Sequence, residues 1–269
     1  MHYIPKDESN GRPDDGYIDI VDRDGYNHLG YFSPPNVSTP RYITGGRWEV
    51  TNIAAFDEAT NLLYLALLHK VIICRYFLST KNSPIERHLY RIHLSGQDLA
   101  SLADPSREGT YSASFSSMAK YFQLSYNGPE IPNEYVYSTR DPNFRILLED
   151  NHELRKKLQK IDLPRSVYGT IEINGATLNY REIRPPNFDE SGKTKYPVLF
   201  YCYGGPGSQF VSKGFDIDFN LWLPSEPRLE YLIVVVDNRG TGSMGKNFRM
   251  ATRRKLGVLE SADQAAAAE

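Results

Sequence analysis

The chain of 269 residues is 40% hydrophobic and 24% charged, with a formal charge of −2. That is enough apolar material for one large or two modest globular domains, and it supplies no broad positive field, so no nucleic-acid partner is expected. Two cysteines, Cys74 and Cys202, and the histidines at 2, 28, 69, 88, 93 and 152 stand in no metal-ligand spacing, so neither a disulfide scaffold, a metal site nor a cofactor is expected.

The opening "MHYIPKDESNGRPDDG" has no basic stretch followed by an apolar one, and no signal peptide is visible. From residue 16 to about 148, short aromatic-rich strands are separated by Gly, Pro, Asn and Asp turns, as in "GYNHLGYFSPP", "RYITGGRWEVTNIAAF", "YSASFSSMAKYFQLSYNG" and "YVYST". In "HLYRIHL", Leu89, Arg91 and His93 face one way while Tyr90, Ile92 and Leu94 face the other. Such texture fits an all-β repeat such as propeller blades. The histidines are expected on the surface or in loops. Asn36-Val37-Ser38 is a glycosylation sequon. The apolar run Leu62 to Leu78 is interrupted by His69, Lys70 and Arg75, which argues against a membrane-spanning helix.

The pattern changes at "EDNHELRKKLQKIDLP". Asp150 and Glu153 have capping-box spacing, and Leu154, Leu158 and Ile161 recur at helical intervals before Pro164. A junction helix is therefore expected within 151–164, between a β-rich region (1–150) and a different one (165–269). The basic runs Arg155-Lys156-Lys157 and Arg253-Arg254-Lys255 read as solvated helix faces. "VYGTIEINGATLNYREIRPP" reads as a hairpin turning at Asn174-Gly175. "YPVLFYCY" and "YLIVVVD" are nearly continuous apolar runs, the pattern of strands covered on both faces in an α/β sheet, with Cys202 as a small buried thiol. "SADQAAAAE" forms a helix beginning near Glu260 or Ser261.

Two glycine clusters follow apolar runs. Gly240, Gly242 and Gly245 spell G-x-G-x-x-G, and Glu260 lies downstream, as a dinucleotide site and an oxidoreductase would need. Against this, Asp237, Asn238 and Arg239 separate the apolar run from the first glycine, and Glu260 stands in helical sequence. In "LFYCYGGPGSQF" the strand is expected to end at Tyr203 and to pass into Gly204-Gly205-Pro206-Gly207. Acyl-transfer enzymes of the α/β-hydrolase type need such a loop after an early strand, to place a donor where the oxyanion develops. A phosphate-binding P-loop would need G-K-[ST] next, and none follows.

"PVLFYCYGGPGSQ", "VVVDNRGTG" and "LGVLESADQAAAA" resemble successive landmarks of the dipeptidyl peptidase IV group of the prolyl oligopeptidase family. Upstream, "GYNHL", "WEVTNI", "ERHLYRIHLSG", "YSASFSSMAKYFQLSYNGP" and "LLEDN" are similar to its last propeller blades. The resemblance covers nearly the whole chain in order, and is greatest to fungal vacuolar-membrane and secreted members. It implies the last blades of a β-propeller followed by the N-terminal part of an α/β-hydrolase domain. It implies also a Ser-Asp-His mechanism that releases N-terminal dipeptides with proline or alanine second, peptide substrates, a homodimer and a secretory-pathway address. The family's oxyanion tyrosine falls on Tyr203.

A hydrolase of this kind carries its nucleophile on a G-x-S-x-G elbow, and no serine here has that context; Ser208 and Ser243 both lack the glycine two positions before. The nucleophile, acid and base are expected beyond Glu269, and the chain alone is expected to be inactive. A non-catalytic propeller-containing interaction protein or a truncated product is the alternative. One departure from the family is internal: "LALLHKVIICRY", residues 65–76, intervenes where the family's strand runs on, and reads as an insertion or a retained intron.

Overall fold

The computed structural model describes residues 1–57 and 74–269. Most of the segment 65–76 lies outside the described residues, so the insertion reading does not meet the structure. The described residues form two compact units, one of residues 1–127 and 133–150, the other of residues 128–132 and 151–269.

The first unit holds three antiparallel four-stranded sheets, each built from strands consecutive in sequence. The first contains β1 (His2–Ile4), β2 (Gly16–Arg23), β3 (Tyr26–Phe32) and β4 (Arg41–Tyr42). The second contains β5 (Val50–Phe56), β6 (Cys74–Ser79), β7 (His88–His93) and β8 (Ala100–Ser101), and the third β9 (Tyr111–Phe115), β10 (Tyr121–Tyr126), β11 (Asn133–Ser138) and β12 (Arg145–Glu149). The β2–β3 hairpin turns on Asp24-Gly25 with φ of 54° and 86°, the paired left-handed residues that a two-residue turn requires to match strand twist.

Period-two alternation decides how these sheets stack. Tyr90 and Ile92 on β7, with Leu94 just after it, enter a core with Ile18, Leu29 and Tyr31 of the first sheet. Leu89, facing the other way, enters a second core with Phe122, Leu124 and Tyr126 of the third. Strands β5, β6 and β7 of the middle sheet thus place apolar side chains in both cores, worth about 1.5–3 kcal/mol for each large one fully removed from water. Sheets of four antiparallel strands packed face to face in sequence order are propeller blades.

The same stacking corrects the expectation for the histidines: His28 and His88 are fully buried. His28 bonds through Nδ1 to Thr44 Oγ1 and through Nε2 to the Gly46 carbonyl, both at 3.0 Å, and burial holds its pKa below the ordinary histidine value. His88 Nε2 lies 2.8 Å from Glu86 Oε2. His28 is thereby satisfied at both ring nitrogens, the arrangement that makes burying imidazole tolerable, whereas His88 Nδ1 is buried with no hydrogen-bond partner among the described residues.

The second unit contains α1 (His152–Leu158), the strands β13 (Arg165–Ile173), β14 (Ala176–Arg184), β15 (Val198–Phe200) and β16 (Leu232–Asp237), and the helices α2 (Phe219–Ser225), α3 (Lys246–Arg249) and α4 (Val258–Ala268). Its sheet is mixed, in the order β13-β14-β16-β15, with β15 parallel to β16. The β13–β14 hairpin turns at Asn174-Gly175, whose φ values of 51° and 75° are those of the expected tight turn.

Helix boundaries depart from expectation. The Asp150/Glu153 capping box does not form; Asn151 in left-handed backbone (φ 55°) is the N-cap, with no side-chain bond to the helix. Ile161 lies beyond α1 and is exposed. α4 begins three residues before Ser261, at Val258, because Gly257 in left-handed backbone caps it and Glu260 Oε2 accepts the Gly257 N–H at 2.9 Å. Arg155-Lys156-Lys157 is a solvated helix face, whereas Arg253-Arg254-Lys255 is exposed in turns before α4.

Candidate functional site

The expectation that "YPVLFYCY" forms one buried strand ending at Tyr203 is overturned. The strand ends at Phe200, with one further hydrogen bond from the Tyr201 N–H to the Val234 carbonyl (2.8 Å), Val198 is 55% exposed, and Cys202 is exposed rather than a core thiol. Among the described strands β15 pairs with β16 alone, whereas β16, with Ile233 fully buried, is flanked by β14 and β15; an apolar run by itself does not tell how much of a strand its neighbours cover.

Tyr203 consequently stands on a loop, 59% exposed. Its ring is placed nonetheless. Phe210 stacks on it with centroids 4.5 Å apart and planes 10° from parallel, and Phe210 also stacks on Tyr201 at 5.7 Å. The Asp237 carboxylate, at the end of β16, fixes the Phe210 backbone by accepting the N–H groups of Phe210 (2.9 Å) and Val211 (3.1 Å). Burial raises the Asp237 pKa, and those two donors oppose the rise.

The loop after Tyr203 requires its glycines. Gly204 has φ +84°, and a Cβ there would overlap the Asn238 side-chain oxygen. Gly205-Pro206-Gly207-Ser208 is a tight turn closed by Ser208 N–H donating to the Gly205 carbonyl at 3.0 Å, with Gly207 at φ +73°. The two glycine clusters of the sequence meet here. Gly207 N–H donates to the Gly240 carbonyl (2.8 Å) and Gly242 N–H to the Ser208 carbonyl (2.7 Å). A Cβ on Gly242 would lie 2.7 Å from the Gly207 carbonyl oxygen. Gly240 and Gly242 therefore serve a loop-on-loop contact, while Gly245, in left-handed backbone, is the N-cap of α3. The helix after them, α3, has only four residues, and Glu260 sits in α4, so the geometry differs from a dinucleotide turn opening a long helix.

Side chains from α4 lock this contact, and the sequence alone did not single them out. Arg239 donates to the fully buried Asp263 through Nε and a terminal nitrogen, while its backbone N–H reaches Asp263 Oδ2 at 2.9 Å. That hydrogen bond, before the charge attraction, raises the Arg239 pKa. Gln264 Nε2 donates to the Val236 carbonyl (2.8 Å) and to Asn238 Oδ1 (3.0 Å), and Asn238 Nδ2 donates to the Arg239 carbonyl (2.7 Å). The only sequence signal was the polar "DNR" at a strand end; nothing marked Asp263 or Gln264 inside an alanine-rich helix. Asn36 is exposed in a loop of the first unit. No group of His, Cys, Asp and Glu among the described residues is arranged to hold a metal ion.

Stacked four-stranded sheets followed by a mixed sheet define the chain as carrying part of a β-propeller. Residues 1–133 match the family described as the dipeptidyl peptidase IV (DPP IV) N-terminal region. The chain is 45% identical over 265 residues to a probable dipeptidyl-aminopeptidase B of Botryotinia fuckeliana, covering 97% of this chain and 27% of that protein. It is 44% identical over 272 residues to the protein of the same description from Fusarium vanettenii, covering 100% and 28%. The crystal structure of Porphyromonas gingivalis dipeptidyl peptidase 4 superposes with a TM-score of 0.80 at 30% identity, over 94% of this chain and 33% of that one. The chain is similar to the dipeptidyl peptidase IV group along nearly its whole length, and spans about a quarter of the length of the curated relatives it matches.

Proposed function

We propose that this chain is part of a serine-type dipeptidyl peptidase that releases X-Pro and X-Ala dipeptides from peptide N-termini, and that its second unit is the beginning of an α/β-hydrolase domain. In this reading Tyr203 is the oxyanion donor. The observation that carries it is the combination at Tyr203: a phenol open to solvent, with its ring held flat on Phe210 and its following loop pinned by glycines, Asn238 and Asp237. An oxyanion donor must be accessible to substrate and fixed before the charge develops, because reorganisation during the reaction would forfeit the stabilisation. Substrate carbonyls approach closely over a loop that carries no side chains at Gly204 and Gly205.

The nucleophile, acid and base have no counterpart in the 269-residue sequence. The purified chain is expected to show no serine-inhibitor-sensitive turnover of a Gly-Pro reporter amide; such turnover would overturn the assignment of the missing residues. In an enzyme carrying this segment together with a G-x-S-x-G region, Tyr203→Phe should lower kcat by about 100-fold with little change in KM, since one donor is lost only in the transition state. Equal losses in Tyr203→Phe and a remote surface variant would remove Tyr203 from the mechanism. The exposed sequon at Asn36 supports a lumenal or secreted location, with membrane-anchored vacuolar and secreted forms both compatible, and a homodimer is the proposed assembly.

A further inference from the structure

Gly204, Gly205 and Gly207 follow Tyr203 closely, but they are not glycine for the same reason. Gly204 and Gly207 lie in left-handed backbone, at φ +84° and +73°, where a side chain is strained. Gly205 does not adopt that backbone, so its conformation alone does not call for glycine. The Tyr203 ring does. A Cβ at position 205 would lie 3.2 Å from Tyr203 Cε1, 3.3 Å from Cζ and 3.2 Å from the phenol oxygen, inside the roughly 3.5–4.0 Å at which carbon atoms pack best. The space that a side chain would fill at 205 is taken by the phenol end of Tyr203.

We infer that Gly205 and Phe210 are positioning residues for the Tyr203 phenol, Gly205 by yielding the space beside its hydroxyl end and Phe210 by stacking on its ring. The inference rests on the reading of Tyr203 as the oxyanion donor and deepens it, since it assigns the donor's placement to two residues that act through it.

Each of the two is itself held. Asp237 accepts the backbone N–H groups of Phe210 and Val211, and Tyr201 stacks on the Phe210 ring with planes 12° apart. The Gly205 carbonyl accepts the Ser208 N–H at 3.0 Å and the Ser208 hydroxyl at 2.5 Å. Two neighbours of the Tyr203 ring thus belong to backbone fixed by hydrogen bonds, which lets a side chain that is 59% exposed keep one orientation. Orientation matters here because an oxyanion donor must be in place before the charge develops, and a displacement of about 1 Å can cost about 100-fold in rate. An alanine at 205 moves the phenol by a few tenths of an ångström while leaving the backbone as it is.

The structural half of the test uses the 269-residue chain with ¹³C-labelled tyrosine rings, Tyr203 being identified by the resonances that Tyr203→Phe removes. A ring stacked on Phe210 is shielded by it, so the Tyr203 resonances are expected upfield. Phe210→Leu should abolish that displacement, Phe210→Tyr should retain it, and Gly205→Ala should alter it, each at an unchanged melting temperature. Tyr203 resonances identical in wild type, Phe210→Leu and Gly205→Ala would overturn the inference.

The kinetic half uses an enzyme that joins this segment to a G-x-S-x-G region. Gly205→Ala should lower kcat about tenfold with KM within about twofold of wild type, the pattern of a contact made only in the transition state. Phe210→Leu should lower kcat about fivefold in the same way, with Phe210→Tyr recovering most of that loss, and these two decide the matter if Gly205→Ala does not fold. With Tyr203→Phe already in place, neither Gly205→Ala nor Phe210→Leu should cost anything more, because no phenol is left to position. Losses of the same size in both backgrounds would overturn the inference while the loss in Tyr203→Phe keeps Tyr203 in the mechanism. No loss in Tyr203→Phe itself would overturn both.

Discussion

The middle sheet of the first unit and the mixed sheet of the second are both rich in apolar residues, yet they treat them differently. β7 places Leu89 in one core and Tyr90 and Ile92 in another, which Leu94 just beyond the strand joins. β15, as apolar by sequence, leaves Val198 55% exposed and hands the chain to a loop where Tyr203 is 59% exposed. In the first unit, hydrophobic burial on both faces fixes the strands. In the loops after β15 and β16, order comes from hydrogen bonds and glycine contacts, with Asp237, Asn238, Arg239, Asp263 and Gln264 doing what packing does elsewhere. Burial produces stability, whereas polar anchoring allows a side chain to be exposed and still oriented, which is what a reactive phenol requires.

The contrast predicts a ranking. The largest effect should come from Phe77→Ala in the first unit: Phe77 is fully buried, and the cavity should cost about 3–5 kcal/mol in urea unfolding. A cost under about 1 kcal/mol would mean that the stacked sheets are not the source of stability there. Next is Asp263→Ala, which leaves Arg239 without its buried partner and should cost about 3 kcal/mol. Hydrogen exchange of the Gly207 and Gly242 amides should accelerate in that variant while the amides of β7 stay protected, and uniform acceleration would contradict local anchoring.

A separate effect, confined to alkali, is expected of the first unit. Burial pushes Tyr76 and Tyr111 up to about 12, whereas an unfolded tyrosine ionises near 10. Above pH 10 the unfolded chain therefore binds fewer protons than the folded one, so stability falls as pH rises from about 10 to about 12. Tyrosinate absorbance should show a late-titrating class, and Tyr111→Phe should flatten the decline in urea midpoint over that range. A single titration step near 10 in the folded chain would remove this assignment. The smallest effect belongs to Val198→Thr, expected within about 0.5 kcal/mol of wild type because the side chain is already mostly in water. A loss comparable to that at Phe77 would erase the distinction between the two sheets.

Much of the fold was legible because it is written locally. Alternation in "HLYRIHL" announces a strand with two distinct faces, and Asn174-Gly175 announces the β13–β14 turn through backbone that such residues adopt readily. The candidate site was legible in part: glycines after two apolar runs marked loops with close backbone approach, and family resemblance pointed to Tyr203. Their mutual hydrogen bonds were not legible, since Gly207 and Gly240 are far apart in sequence. Neither was the burial of His28 and His88, because a histidine's environment is set by residues such as Thr44 and Glu86 that happen to fold against it.

The sequence by itself determined the strands, the tight turns, the absence of a broad basic field and the kinship with dipeptidyl peptidases, since each rests on short-range pattern or on ordered motifs. Tertiary structure alone decided that Phe210 holds the Tyr203 ring, that α4 anchors the glycine loops, and that His28 and His88 are buried. These are relations between distant segments, and they arise only when burial and polar satisfaction are settled for the whole unit at once.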